Sequence, residues 1–161
     1  MASLDDVNID DLKAGYELIS GDLESVTEDF YRELFSRYPA VKPLFKGIEV
    51  PQQKKKLAAA LRLVMASLEK PDELVTALKE MGQRHEDYGA TADLYAPVAE
   101  TLIDVMKIQG GEDWTNAMSR AWDTALTVIA EVMLSAYKTA DDGEGVAGSD
   151  SSPPYGLKSN N

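Results

Sequence analysis

Cysteine is absent from this chain of 161 residues, and histidine occurs once, at His85. Without thiols the protein can form no disulfide, no thiolate metal site and no thiol nucleophile. No apolar run approaches the roughly 20 residues that a membrane-spanning helix needs. The first residues, MASLDDVNIDD, lack the basic and apolar regions of a signal peptide. We therefore expect a cytoplasmic protein that does not enter a membrane.

Basic residues are also scarce. The chain has 16 Lys and Arg residues against 28 Asp and Glu residues, and its formal net charge is -12. This balance argues against nucleic acids and anionic membrane surfaces as partners. The sequence has no Gly-rich phosphate loop and no Ser-centred nucleophile elbow, which argues against the nucleotide-binding and hydrolase classes that these motifs mark.

The composition changes near the C-terminus. Residues 139–161 are rich in Gly, Ser, Asp and Pro and show no hydrophobic periodicity, which is typical of a disordered tail. The remaining length suits one domain with its own core. We expect a single domain over residues 1–138 and a polar, disordered tail over residues 139–161.

Helix start signals occur through this domain. Asn8 is a predicted N-cap for a first helix, and Ser25 begins a capping-box pattern for a second. Pro51 and Pro71 suit the first turns of two further helices. We expect the helix that begins at Pro71 to end at His85.

Apolar residues recur with helical spacing over residues 95–105 and 118–133. A pair of glycines separates these two segments. The stretch YPAVKPLF allows only a short helix or a turn, because proline breaks longer helices. No segment shows convincing alternation of apolar and polar residues. The sequence therefore predicts an all-α domain of six or more helices.

His85 lies at the end of an apolar helical stripe. Leu74, Leu78, Met81 and His85 are spaced by four, three and four residues, so they share one face of a helix. One interpretation is a core histidine hydrogen-bonded to a carbonyl. The other is a cofactor ligand, and haem fits because its porphyrin supplies four nitrogens and a neutral imidazole supplies a fifth. Such a site needs an apolar slot between helices.

Three stretches resemble a bacterial single-domain globin related to the globin half of flavohaemoglobins. They are FYRELFSRYPAVKPLF, PQQKKKLAAAL and MGQRHEDYGATADLYAPVAETLI, and the similarity runs from about residue 8 to residue 137. The resemblance implies a globin fold, in which helices form a three-over-three sandwich around a haem slot. It also implies haem b (iron protoporphyrin IX) as cofactor.

The resemblance assigns roles to five residues. His85 matches the proximal histidine that ligates iron, and Phe45 matches the phenylalanine that stacks on the porphyrin. Tyr31 matches the distal tyrosine that donates a hydrogen bond to bound dioxygen, although a core tyrosine bonded to a carbonyl is an alternative. Gln53 matches the distal polar position, with a plain surface glutamine as the alternative. Leu57, one turn later, would form an apolar ceiling.

The walls and mouth of the slot involve further predicted residues. We expect Met81, Tyr95 and Val98 to contact the cofactor. Lysines at 54–56 would lie in the first turn of a helix, where each costs roughly 0.3 to 1 kcal/mol against the helix dipole. Haem propionates would offset this cost, and we expect Lys56 and Arg84 to bind them. The alternative is a solvated basic face.

The chain also departs from the flavohaemoglobin pattern. The reductase domain is missing, so a redox cycle would need a separate reductase. Tyr137 stands where those proteins have a proximal glutamate, and Leu126 stands where a tyrosine is expected. Without a carboxylate partner His85 should be less imidazolate-like and push less electron density onto iron. This difference favours reversible ligand binding.

Three functions remain open at the level of sequence. The first is reversible binding of dioxygen, with nitric oxide and carbon monoxide as other ligands. The second is a nitric oxide dioxygenase that uses an external reductase. The third is a haem-based gas sensor or a structural module.

Overall fold

The computed structural model describes residues 3–138, which form six α-helices and no β-strand. The helices are α1 Ile9–Ile19, α2 Leu23–Arg37, α3 Val50–Ala66, α4 Pro71–Tyr88, α5 Tyr95–Gly110 and α6 Asn116–Ser135. The stretch YPAVKPLF supplies a short 3-10 helix, Pro39–Phe45, as predicted. The all-α prediction is confirmed. The predicted tail lies outside the described residues.

The predicted cap of α1 is confirmed, and that of α2 is wrong. The Asn8 side chain accepts a hydrogen bond from the Asp11 backbone N–H at 3.0 Å. At α2 the N-cap is Asp22, whose carboxylate accepts from the Ser25 N–H at 3.1 Å. A carboxylate is a good N-cap because it satisfies a free N–H and faces the positive end of the helix dipole. Ser25 therefore lies inside the first turn.

Helix α4 begins at Pro71 as predicted but continues past the predicted end at His85. It runs to Tyr88 and stops at Gly89, which has φ 97°. Glycine adopts this left-handed conformation without steric cost, so it is a common helix terminator. The sequence prediction stopped one turn early because the apolar stripe ends at His85. The histidine thus lies within the last turn of α4.

The lysine run of α3 lies deeper in its helix than predicted. Because α3 begins at Val50, Lys54 starts the second turn, and the predicted first-turn position is wrong. Helix-dipole effects fall off within the first turn, so the unfavourable free energy of these cations is smaller than predicted. Lys54 Nζ lies 4.0 Å from Glu28 Oε1 on α2, and this attraction offsets part of that unfavourable free energy.

The helices pack in two layers. Helix α5 contacts both α2 and α6. Helix α3 packs on α2, and helices α1 and α4 pack on α6. Leu12, Val26, Met106 and Trp122 are fully buried between them. No helix within residues 3–138 combines the length and the apolar character needed to cross a membrane.

Candidate functional site

A cavity of about 240 Å³ lies between helices α2 to α6. Its lining is apolar apart from the polar atoms of a few aromatic, histidine and glutamine side chains. Eight of the ten predicted site residues line it: Tyr31, Phe45, Gln53, Leu57, Met81, His85, Tyr95 and Val98. Lys56 and Arg84 are exposed and do not line it. The roles of all ten at a cofactor stay predictions.

The His85 ring has a defined proton arrangement. Its Nδ1 lies 2.9 Å from the carbonyl oxygen of Met81, one turn earlier in α4. A carbonyl can only accept, so Nδ1 carries the proton and donates it. In a neutral ring Nε2 then keeps its lone pair, which is the form in which histidine ligates a metal. The alternative interpretation, a core histidine hydrogen-bonded to a carbonyl, is therefore compatible with a role as metal ligand. The hydrogen bond uses Nδ1, whereas ligation would use Nε2.

The electrostatic surroundings keep this imidazole neutral. Burial lowers the pKa of His85 below its ordinary value, and the positive charge of Arg84 lowers it further. The hydrogen bond to Met81 acts in the opposite direction and is the smaller effect compared with burial. The ring is therefore neutral at neutral pH, with its proton on Nδ1 and a free lone pair on Nε2.

Two polar side chains enter the cavity from α2 and α3. Tyr31 is only 6% exposed, and burial raises the pKa of its hydroxyl to about 12. Hydrogen bonding with the Gln53 side chain acts against this increase. Tyr31 thus keeps its proton at neutral pH and stays a hydrogen-bond donor next to a second polar group.

Aromatic rings pack against the Tyr31 ring. Phe45 packs edge-on against Tyr31 at 5.8 Å between ring centroids and against Phe35 at 5.2 Å. Phe30 contacts Tyr31 in the same way at 4.8 Å. Edge-to-face pairs of this kind hold the rings in fixed orientations. They keep the Tyr31 ring in place without engaging its hydroxyl.

The loop after α4 and the segment that follows α6 meet near His85. The Tyr95 ring centroid is 6.3 Å from that of His85. The Tyr95 and Tyr137 hydroxyl oxygens are 2.8 Å apart, and Tyr137 donates to the Ala90 carbonyl at 2.8 Å. Ala90 and Tyr95 line the cavity, whereas Tyr137 is not among its lining residues.

Helix α6 forms a wall of the cavity that was not predicted from the sequence. Trp122, Leu126, Ile129 and Met133 line it from one face of that helix. Their spacing of four, three and four residues was visible as an apolar stripe, but such a stripe predicts core packing and cavity lining equally well. No signal in the sequence distinguishes the two.

This chain is similar to known globins in sequence. The family model named Globin matches residues 28–133. A flavohemoprotein of Oceanobacillus iheyensis is 26% identical over 137 residues, which cover 84% of this chain and 34% of that protein. An uncharacterized globin-like protein of Aquifex aeolicus is 26% identical and matches 79% of this chain and 89% of its own length. The chain thus spans about a third of the curated flavohemoprotein.

Solved structures give the same result. An engineered carbene transferase made from a candidate nitric oxide dioxygenase of Rhodothermus marinus has a TM-score of 0.74 and 28% identity, covering 86% of this chain and 95% of that chain. A bacterial globin from Campylobacter jejuni has a TM-score of 0.68 and 26% identity, covering 83% and 96%. The predicted resemblance and the predicted globin fold are confirmed.

The cavity residues suit a haem group. In globins one imidazole with a free lone pair holds the haem iron, and the porphyrin needs a large apolar surround. The Nδ1 bond of His85 to Met81 leaves such a lone pair, and aliphatic and aromatic side chains form most of the walls. The donor set and the lining therefore fit the cofactor.

Proposed function

This chain belongs to the globin family, and on that premise we propose that it binds haem b through His85 and holds dioxygen reversibly. Globins bind haem, which when bound supplies an iron atom with a coordination position open to a diatomic gas. The absence of cysteine supports the b type, since it excludes a haem held by thioether links to the protein. The observation that carries the proposal is the hydrogen bond from His85 Nδ1 to Met81, which leaves Nε2 as the ligating atom.

The remaining cavity residues would hold the cofactor by packing. Met81 and Val98 present apolar side chains, and Phe45 presents an aromatic ring that Phe35 holds in orientation. Lys56 and Arg84 are exposed on the helices that carry Gln53 and His85. We assign to them the pairing with the carboxylate groups of the cofactor, a weaker interaction because both sites are solvated.

On the distal side Tyr31 and Gln53 would determine how a gas ligand is held. A ligand that gains partial negative charge accepts a hydrogen bond from the Tyr31 hydroxyl, which keeps its proton because burial raises its pKa to about 12. The Gln53 amide is a second donor and cannot ligate iron well. Leu57 lies one turn from Gln53 and excludes water from the same space.

A nitric oxide dioxygenase is the second candidate. The likeness to a protein made from a candidate nitric oxide dioxygenase supports it, as do the flavohemoprotein matches. Such an enzyme would need a reductase as partner. Tyr137 argues against this function, because its hydroxyl is neutral and is bonded to Tyr95 and Ala90. A neutral partner leaves the proximal imidazole a weaker electron donor than a carboxylate would.

Gas exchange on the purified, haem-loaded protein tests the proposal. The absorption spectrum of the reduced protein should change when dioxygen is added and should revert when dioxygen is removed under argon. The cycle should repeat with little loss of the reduced form. Failure to take up haem would contradict the proposal. Rapid consumption of nitric oxide with a flavin reductase present, together with poor reversibility, would favour the dioxygenase.

A further inference from the structure

The C-terminal part of α6 and the residues that follow it contact α4 on both sides of His85. At Gly82, three residues before His85, the two backbones are so close that an added Cβ would lie 2.2 Å from the Met133 carbonyl oxygen. One residue after His85, Glu86 Oε1 accepts a hydrogen bond from the Lys138 N–H at 2.9 Å. The loop that follows is held by the bond from Tyr137 to Ala90.

The hydroxyl pair of Tyr95 and Tyr137 has a fixed direction. The Ala90 carbonyl can only accept, so the Tyr137 hydroxyl must use its proton there. The Tyr137 oxygen is then the acceptor in its 2.8 Å contact with Tyr95, and Tyr95 is the donor. The chain of bonds therefore runs from Tyr95 to Tyr137 and ends on a neutral backbone group.

Tyr137, at the centre of this chain of bonds, is buried, whereas Tyr95 and Ala90 are half-buried. Tyr137 is 6% exposed. Burial raises the pKa of both tyrosine hydroxyls, so both stay protonated. A buried hydroxyl whose partner is removed loses the full value of its hydrogen bond, because water cannot replace the partner.

We infer that Tyr137 is a positioning residue for the haem ligand: its hydroxyl fixes Ala90 and Tyr95, and these two cavity-lining residues hold the His85 ring in its orientation. Tyr137 does not line the cavity, so it acts through residues that do. The ring centroids of Tyr95 and His85 are 6.3 Å apart, so on this inference the Tyr95 ring limits rotation of the imidazole. Groups that orient a metal-ligating histidine tune both its affinity and its bond to the metal. The inference rests on the proposed function.

The test compares three full-length, haem-loaded variants with the wild-type protein. Tyr137→Phe removes the hydroxyl and leaves the ring. Tyr95→Phe leaves the bond from Tyr137 to Ala90 intact. Tyr16→Phe, in a half-buried tyrosine of α1, is the matched control. The measurements are the iron–histidine stretching band of the reduced protein in resonance Raman spectra and the rate of haem transfer to excess apomyoglobin.

Tyr137→Phe should move the iron–histidine band to lower frequency, broaden it, and speed haem transfer by about ten- to a hundredfold. Tyr95→Phe should give a smaller change in the same direction, and Tyr16→Phe should give none. A lower melting temperature for Tyr137→Phe with an unchanged band and transfer rate would assign it a purely structural role and overturn the inference.

Two further outcomes also decide the matter. If Tyr137→Phe does not fold, Tyr95→Phe decides alone, because a wild-type band in that variant overturns the inference and a shifted band supports it. A wild-type protein without an iron–histidine band would overturn both the proposed function and the inference. A normal wild-type band that neither variant changes would overturn only the inference.

Discussion

The Tyr31 hydroxyl is the donor on which we expect dioxygen affinity to depend. A hydrogen bond to a charged acceptor in a dry pocket contributes roughly 1.5 to 3 kcal/mol. Since each 1.4 kcal/mol is tenfold in an equilibrium constant, Tyr31→Phe should speed dioxygen release by roughly one to two orders of magnitude. Most of the change should appear in the release rate, because the bond forms only after the ligand arrives. Stopped-flow ligand replacement measures this rate.

Gln53→Leu and carbon monoxide provide the controls for this prediction. Gln53 is less buried than Tyr31, so its removal should have the smaller effect. Carbon monoxide carries little negative charge on its oxygen, and its release rate should respond far less to either change. If Tyr31→Phe changed the release of both gases equally, Tyr31 would act by steric access and not as a donor.

The pH dependence of dioxygen release follows from the pKa of the same hydroxyl. Burial raises the pKa of Tyr31 from 10.0 to about 12, so the folded protein favours the neutral form. This preference adds to the free energy of unfolding, and the full contribution is present below 10.0, the ordinary pKa of tyrosine in the unfolded chain. The contribution is lost as the pH rises through about 12, the pKa of Tyr31 in the folded protein. Because Tyr31 keeps its proton below this pKa and so remains a donor, the dioxygen release rate should be constant between about pH 6 and about pH 10. A steep rise near pH 8 would mean that another group controls the ligand.

The polar residues of the cavity were predictable from sequence, and the bonds that hold them were not. His85 stood out because an imidazole on an apolar helical face needs a partner, whereas Tyr31 was assigned its role by the resemblance to globins. The link from Tyr137 to Ala90 joins residues 47 positions apart and ends on a backbone carbonyl. No side-chain pattern marks a carbonyl as an acceptor, so the fold had to supply this contact.

Helices α4 and α6 approach each other closely at Gly82. An added Cβ at Gly82 would meet the Met133 backbone at 2.2 Å, and backbone atoms cannot move aside as a flexible side chain can. Gly82→Ala should therefore force the helices apart and lower the free energy of unfolding by about 1 to 3 kcal/mol. Urea denaturation of the apo-protein measures the change.

Gly21→Ala is the matched control for this prediction. No atom lies within 4 Å of a Cβ added at Gly21, so the same substitution there should leave stability nearly unchanged. Equal effects at both positions would show that the loss comes from the intrinsic preferences of glycine and alanine. The packing of α4 on α6 would then not be the cause.

Helix existence was predicted more reliably than helix ends. The apolar stripes on α4, α5 and α6 predicted these helices, since a buried face repeats with the helical period. The start of α2 was wrong because Asp22 and Ser25 are both good caps, and only the structure shows which side chain accepts the bond. The α4 end was wrong because its last turn is polar, while Gly89 supplied the stop.

For the molecule as a whole, we propose a domain boundary after residue 138. The bonds of Tyr137 and Lys138 to the α4 end make these residues part of the domain. A chain of residues 1–138 should keep one haem per chain and the melting temperature of the full-length protein. A chain cut after residue 136 loses both contacts and should melt lower. Equal melting of the two shortened chains would contradict this boundary.

The most direct test of the whole interpretation is the absorption spectrum of the reduced protein and of His85→Ala, each with and without carbon monoxide. The wild-type protein should hold one haem per chain, with a five-coordinate reduced spectrum that shifts when carbon monoxide is added. His85→Ala should lose stoichiometric haem, and free imidazole should restore part of the binding. Full haem retention in His85→Ala with an unchanged reduced spectrum would contradict the assignment of His85 as the iron ligand.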